Sequence, residues 1–272
     1  NALANASTED VHNMAEICIN AQRALKDYAI IGMKVSYHDH LKESLADVDE
    51  HFTDIKKSGN LSEKLQAEVD KLETSWAEIR PKFGAEPFDK KTMFELHELI
   101  DKDFTERCEK IAHDLGTDTG IKGEEDVVLV AQLGMESQRL AAIYLLKAWG
   151  IEDPHYDAVV KHVQEEIEEI YKKLMAEDEK YVSKEIKEKL EVAEKKFIAF
   201  GIMAKSTSGR FMPGKAAHIA DDLYDMLREI LHLEIAMVEK GVSGYFIPVA
   251  EEEKANGSFN GITGVAEESK GN

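Results

Sequence analysis

Two short polar runs end in arginine within otherwise apolar, helix-forming sequence: Gln22-Arg23 and Ser137-Gln138-Arg139. The planar guanidinium of arginine recognises a carboxylate or another small anion through two parallel hydrogen bonds. Gln22, Arg23, Ser137, Gln138 and Arg139 are therefore the candidate ligand-binding residues. In the alternative interpretation, these side chains bridge neighbouring helices through hydrogen bonds, and the residue types alone do not separate the two roles.

The two runs belong to a longer internal similarity. A shift of 116 residues also superimposes Ala15 on Ala131, Ile17 on Leu133 and Tyr28 on Tyr144. Two identical polar neighbours at equivalent positions exceed what shared helical periodicity requires. The sequence therefore predicts a duplicated unit.

Metal-binding patterns are the second kind of candidate chemistry. Glu9-x-x-His12 and Glu229-x-x-His232 both match the ExxH pattern that di-iron helical bundles use on two of their helices. This pattern arises easily by chance among 54 acidic residues and ten histidines, and we expect these two motifs to lie apart, in different bundles. His38, His40 and His51, with Glu43, are interpreted as a solvated histidine-rich face. We therefore predict no metal site.

Other classes of function lack the residues they need. The sequence has no glycine-rich phosphate loop, no GxSxG and no Ser-His-Asp arrangement, so we predict neither an enzyme nor a cofactor. A net charge of −20 argues against nucleic acid as a partner. Cys18 and Cys108 form no CxxC motif, and we expect two buried thiols, with a disulfide left open.

Helical periodicity runs through almost the whole chain. Four helices are expected up to about residue 115, with the second starting near 37, the third covering 61–80 and the fourth carrying 94–115. Four more are expected from about 124, 153, 183 and 215, the second of them with Asp153 as N-cap and Pro154 as its first residue. The fold class is therefore all-α, with two consecutive four-helix up-down bundles over 5–116 and 124–240, and a mobile tail over 241–272.

The runs at residues 134–139 and 20–23 resemble the first-helix motif of PilJ-type sensor domains, which reads approximately A-G-R-Q-R-M-L-S-Q-R. These are the N-terminal domains of type IV pili methyl-accepting chemotaxis transducers, and they are related to nitrate-sensing bundles. The resemblance covers roughly residues 5–115 and again 126–239, and includes Trp76 at a third-helix position. The arginine that contacts the anion in nitrate-binding relatives corresponds to Gly134 and Cys18 here, so nitrate binding is not carried over.

The resemblance implies a periplasmic or otherwise extracytoplasmic sensory domain without catalytic activity. A small ligand, with an anion as one candidate, would bind between helices one and four of a bundle. Ligand binding would then displace a helix and signal to a homodimer or membrane partner. The competing hypotheses are a structural or protein-interaction module with no small ligand and, third, a metal-dependent bundle enzyme.

Overall fold

The computed structural model describes residues 5–206 and 208–246, without the side chains of 242–246. The described part of the chain is helical and contains no strand, which confirms the all-α class. None of its helices combines the length and the apolar character that a membrane crossing requires.

The first half contains four helical segments, of which the last is interrupted. They are α1 (Thr8–Met33), α2 (Leu41–Lys57), α3 (Glu63–Ile79), and α4 (Lys90–Leu99) with α5 (Thr105–Asp118). A 3-10 turn, Arg80–Phe83, extends α3, and a π-helical turn, Ile100–Phe104, joins α4 to α5. Ser7 caps α1, because its side chain accepts from the Asp10 backbone N–H in a capping box.

The second half contains α6 (Glu124–Ala148), α7 (Tyr156–Ala176), α8 (Lys184–Ala204) and α9 (Pro213–Phe246). The predicted start of α7 is wrong. Asp153 accepts from the His155 backbone N–H in a turn, and the helix begins two residues after Pro154. Helix α9 continues to Phe246, past the predicted start of the tail at 241. The rest of that predicted tail lies outside the described residues.

Helices α1 and α6, the first of each half, pack against each other as well as against their own halves. In both helices, buried residues occupy every side of the helix over most of its length. The buried apolar side chains of the two halves form one continuous cluster. The division of the chain into two bundles remains a prediction, because the core crosses the predicted boundary.

The local geometry of α1 and α6 repeats with the 116-residue shift. Lys34 and Gly150 end the two helices with positive φ angles of 57° and 86°. The next backbone N–H then donates back into the helix, from Val35 to Ile30 at 3.0 Å and from Ile151 to Leu146 at 3.2 Å. This is the same Schellman termination in both halves.

Two buried tyrosines repeat in the same way. The Tyr28 hydroxyl accepts from the backbone N–H of Asp89, the residue before α4, at 3.1 Å. The Tyr144 hydroxyl accepts from the backbone N–H of Met212, the residue before α9, at 2.8 Å. Each tyrosine therefore fixes the start of the fourth helix of its own half to the first helix.

The expectation of two buried thiols is wrong. Cys18 of α1 and Cys108 of α5 form a disulfide, with their Cα atoms 5.8 Å apart. The bond joins positions 90 residues apart in sequence, and only the packing of α5 on α1 brings these two cysteines together.

Replacing Lys34 by glycine is predicted to stabilise the protein. A non-glycine residue in the left-handed region is strained, and glycine is not, so Lys34→Gly should raise the free energy of unfolding by about 0.5–1 kcal/mol. Urea denaturation measures this change. Lys34→Ala controls for loss of the charge. A Lys34→Gly protein that is no more stable than Lys34→Ala would contradict the left-handed backbone conformation of Lys34.

Candidate functional site

Arg139 lies at the centre of a buried charge cluster. Its Nε donates to Asp101 Oδ1 at 2.7 Å, and its Nη2 lies 3.4 Å from Asp101 Oδ2. Its Nη1 lies 3.3 Å from Glu136 and 3.8 Å from Glu166. Asp101 belongs to the π-helical turn of the first half. All three guanidinium nitrogens of Arg139 therefore face carboxylates of the protein.

Arg23, at the equivalent position of α1, has a different partner. Its guanidinium carbon lies 3.7 Å from the centre of the Tyr224 ring on α9, and the side chain is almost fully buried. Its Nε has no hydrogen-bond partner among the described residues. Gln22 beside it donates to the Thr105 hydroxyl at 2.8 Å. The two arginines therefore differ: Arg139 is neutralised by acids, and Arg23 is stacked on an aromatic ring.

Ser137 and Gln138 both donate hydrogen bonds to backbone carbonyls of the protein. The Ser137 hydroxyl donates to the Gly134 carbonyl at 2.7 Å, and the Gln138 amide donates to the Ala220 carbonyl of α9 at 2.9 Å. A Cβ atom on Gly134 would lie only 3.1 Å from Ile19, and Cys18 is held in the disulfide. Both positions that correspond to the family's anion-contacting arginine are therefore committed to packing or bonding.

The two arginines reach across between the halves. Arg139, from the second half, contacts the π-helical turn of the first half, and Arg23, from the first half, contacts α9 of the second half. Thr8 and Glu124, which are equivalent under the repeat, bond directly to each other at 2.7 Å. The candidate residues therefore lie where the two halves meet.

Burial shifts the pKa values of the acids around Arg139. It raises the pKa of Glu136 well above its usual range, and Glu166 beside it raises that pKa further. Burial and the nearby Glu166 likewise raise the pKa of Glu109 to about 7, against the opposing effect of Arg139. Burial would lower the pKa of Arg139, but Glu136 and Asp101 raise it above its ordinary value. Arg139 therefore stays charged, whereas Glu109 titrates near neutrality.

A pocket of about 240 Å³ opens between α1, α5 and α6, beside the disulfide. We call it the disulfide pocket. Its lining is mostly small and apolar, with polar groups from α5 and α6: Ala15, Cys18, Glu109, Lys110, Ala112, His113, Val128, Ala131, Gln132 and Met135. Small apolar pockets with a few polar groups are typical of sites for small molecules.

None of the five candidate residues lines the disulfide pocket. The pocket is linked to Arg139 by electrostatics, because Glu109 in the pocket wall interacts with both Arg139 and Asp101. Sequence reasoning missed Glu109, Gln132 and the pocket itself. One signal was available: Gln132 is a polar residue of α6 two turns before Arg139, at the position equivalent to the fully buried Glu16 of α1.

The expectation that the two ExxH motifs lie apart is wrong. The rings of His12 and His232 are 5.6 Å apart, because α9 packs on α1. The acid between them is Glu16, whose carboxylate lies 3.3 Å from His12 Nε2, whereas Glu9 and Glu229 are mainly exposed. His12, the buried Glu16 and His232 therefore form a cluster that the sequence pattern did not predict.

Removing Arg139 should destabilise the protein strongly. Arg139→Ala leaves Asp101 and Glu136 buried without a cation, which costs about 3–5 kcal/mol. Arg23→Ala is the matched control: it removes the equivalent arginine without orphaning a salt-bridged acid, and should cost about 1–2 kcal/mol. Urea denaturation of both variants gives the two losses. Equal losses would show that the contact between Arg139 and Asp101 adds no stability.

The raised pKa of Glu109 predicts a pH effect on stability. Between its usual pKa near 4.5 and its folded pKa of about 7, the folded chain holds this proton more tightly than the unfolded chain. The free energy of unfolding therefore falls as pH rises through that interval. Glu109→Gln stays neutral, so the fall should be smaller by about 3 kcal/mol.

Glu106→Gln, on the exposed face of the same helix, is the control for this measurement. Chemical denaturation at pH values from 4.5 to 8 compares the three proteins. A Glu109→Gln protein whose free energy of unfolding falls with pH as steeply as that of the wild type would contradict the raised pKa of Glu109.

The resemblance to PilJ-type sensor domains depends on the two first-helix motifs, and their structural equivalence is consistent with a duplicated unit. The shared Schellman terminations and the two tyrosines extend this equivalence beyond the motif residues. No protein-family model, curated protein or solved structure matches the chain.

Proposed function

We propose that this chain is an extracytoplasmic sensory domain, built from two PilJ-like four-helix units, that binds a small molecule in the disulfide pocket. The observation that carries the proposal is the position of the pocket. It lies between α1 and α5, the first and fourth helices of one unit, and α6, the first helix of the other. A ligand there contacts both units at once.

The disulfide supports the extracytoplasmic part of the proposal. Structural disulfides persist in oxidising compartments such as the periplasm and are rare in the cytosol. Both cysteines of the chain take part in this bond.

The lining of the pocket indicates the class of ligand. Apolar atoms from Ala15, Ala131 and Met135 favour a compact apolar body, while Glu109 and Gln132 offer hydrogen bonds. Lys110 and His113 also line it, and can bind a carboxylate. A small organic acid or amino acid fits this combination better than a bare inorganic anion.

The disulfide also determines which wall can move. Cys18 and Cys108 tie α5 to α1, so two walls of the pocket are covalently joined. Helix α6 carries the third wall, and no disulfide connects it to the other two. A ligand would therefore shift α6, and with it α9, which packs along α6. Displacement of α9 is our proposed signal to a homodimer or membrane partner.

A ligand screen tests the proposal. Organic acids, amino acids and inorganic anions are added to the full chain, and the melting temperature is recorded. A ligand that binds the folded state raises this temperature. Ala131→Leu places three extra carbons in the pocket and should abolish the shift, whereas Ala199→Leu, on the exposed face of α8, should preserve it.

Circular dichroism establishes that Ala131→Leu is folded, and Ala112→Leu repeats the test from the α5 wall. A compound that shifts the melting temperature of both pocket variants as much as that of the wild type would contradict the pocket as its site. The absence of a shift with every compound class would contradict the sensory role.

A protein-interaction module is the second candidate. Ile198 and Ile202, one turn apart on α8, are exposed by 58% and 70%, and exposed apolar patches mark many protein interfaces. Light scattering that shows a monomer at high concentration would speak against self-association through this face.

A further inference from the structure

We propose that His38, His40 and Asp221 form a binding site for a divalent metal ion of the Zn²⁺ class, with water as the fourth ligand. The two histidines lie in the segment between α1 and α2, and Asp221 lies on α9. None of the three lines the disulfide pocket, so the site adds to the proposed function and does not depend on it.

The spacing of the ligand atoms fits a tetrahedral metal. His40 Nε2 lies 3.2 Å and His38 Nε2 lies 3.5 Å from the same oxygen, Asp221 Oδ2. The three atoms lie within 4.8 Å of one another. Metal–ligand bonds of about 2.0–2.1 Å in a tetrahedron place ligand atoms about 3.3–3.4 Å apart. Small side-chain adjustments would bring all three atoms onto one ion.

Surrounding groups orient the two imidazoles. His40 Nδ1 lies 3.3 Å from Glu43, the carboxylate contact that metal-binding histidines commonly make through their second nitrogen. The His40 backbone N–H donates to Asp27 at 3.1 Å, which anchors the segment to α1. The ring of His38 stacks on Tyr37 with their centres 4.3 Å apart.

A neutral imidazole carries one N–H, so it can donate to only one of two carboxylates. His40 faces a carboxylate at each ring nitrogen, Glu43 at Nδ1 and Asp221 at Nε2. A metal ion between Nε2 and Asp221 satisfies both contacts, with the proton on Nδ1. Lys26 neutralises the other oxygen of Asp221, Oδ1, at 2.9 Å, and leaves Oδ2 to the histidines.

The cation beside the acid separates this site from the cluster of His12, Glu16 and His232. There, Arg228 lies 3.3 Å from each oxygen of Glu16, so an incoming cation meets a guanidinium on both. At the proposed site, His38 is 64% exposed and His40 is 24% exposed, which gives an ion a path from solvent. The cluster of His12, Glu16 and His232 therefore serves as the matched control.

Metal binding would join the α1–α2 segment of the first half to α9 of the second half. Besides the contacts of His38 and His40 with Asp221, this junction includes the ion pair of Lys26 with Asp221 and the contact of Tyr37 with His218 at 3.4 Å. A bound ion adds coordination bonds across the same junction and restricts α9.

Calorimetric titration of the chelator-treated full chain with Zn²⁺ tests the proposal. The wild type should bind one Zn²⁺ ion at a site that is tighter than any further Zn²⁺ site on the chain. His40→Gln and His38→Gln should weaken this binding at least tenfold, and His232→Gln should change it less than twofold. Circular dichroism identifies folded variants; His38 is largely exposed, so its replacement should preserve the fold even if His40→Gln does not.

Two results would overturn the proposal. One is a wild type that takes up no Zn²⁺ with one-to-one stoichiometry, which would show that His40 and Asp221 form only a hydrogen bond. The other is tight binding that survives His38→Gln or His40→Gln and is lost in His232→Gln, which would place the ion in the cluster of His12, Glu16 and His232.

Discussion

The structure depends on the packing of α1 against α6. Each helix belongs to its own half and also lies against the other, so neither has a side free for solvent over most of its length. Polar side chains on these helices therefore cannot be hydrated, and unpaired buried charges are costly. The buried polar side chains of the two helices therefore depend on partners inside the protein.

This constraint explains why an apolar helix carries Glu136, Ser137, Gln138 and Arg139 in a row. Their partners come from both halves: the π-helical turn supplies Asp101, and α9 supplies the carbonyl of Ala220. In α1, Lys26 likewise pairs with Asp221 of α9. The pairs Arg139–Asp101 and Lys26–Asp221 thus join the first helix of one half to the fourth helix of the other, and Gln138 joins α6 to α9 within the second half. The same arrangement leaves a pocket between α1, α5 and α6 and brings histidines to α9.

Local patterns predicted much of this fold. The helical segments and the 116-residue repeat follow from apolar periodicity and from interactions within a few turns of helix. The predicted start of α7 is wrong because the Asp153 side chain has other partners. It accepts from the His155 backbone N–H in a turn and contacts the ring of His97, which leaves it only 5% exposed. What the sequence could not predict is contact between distant segments: the disulfide, the convergence of His12 with His232, and the pocket all require the packing of α1 with α5, α6 and α9.

The central claim is that α1 and α6 form one cooperative core shared by both halves. Native-state hydrogen exchange, followed by mass spectrometry under increasing denaturant, measures the opening free energy of each helix. A shared core predicts that the central amides of α1 and α6 open together, with the free energy of global unfolding. Opening of α1 with its half while α6 stays protected would contradict the claim, because it would show two independently stable units.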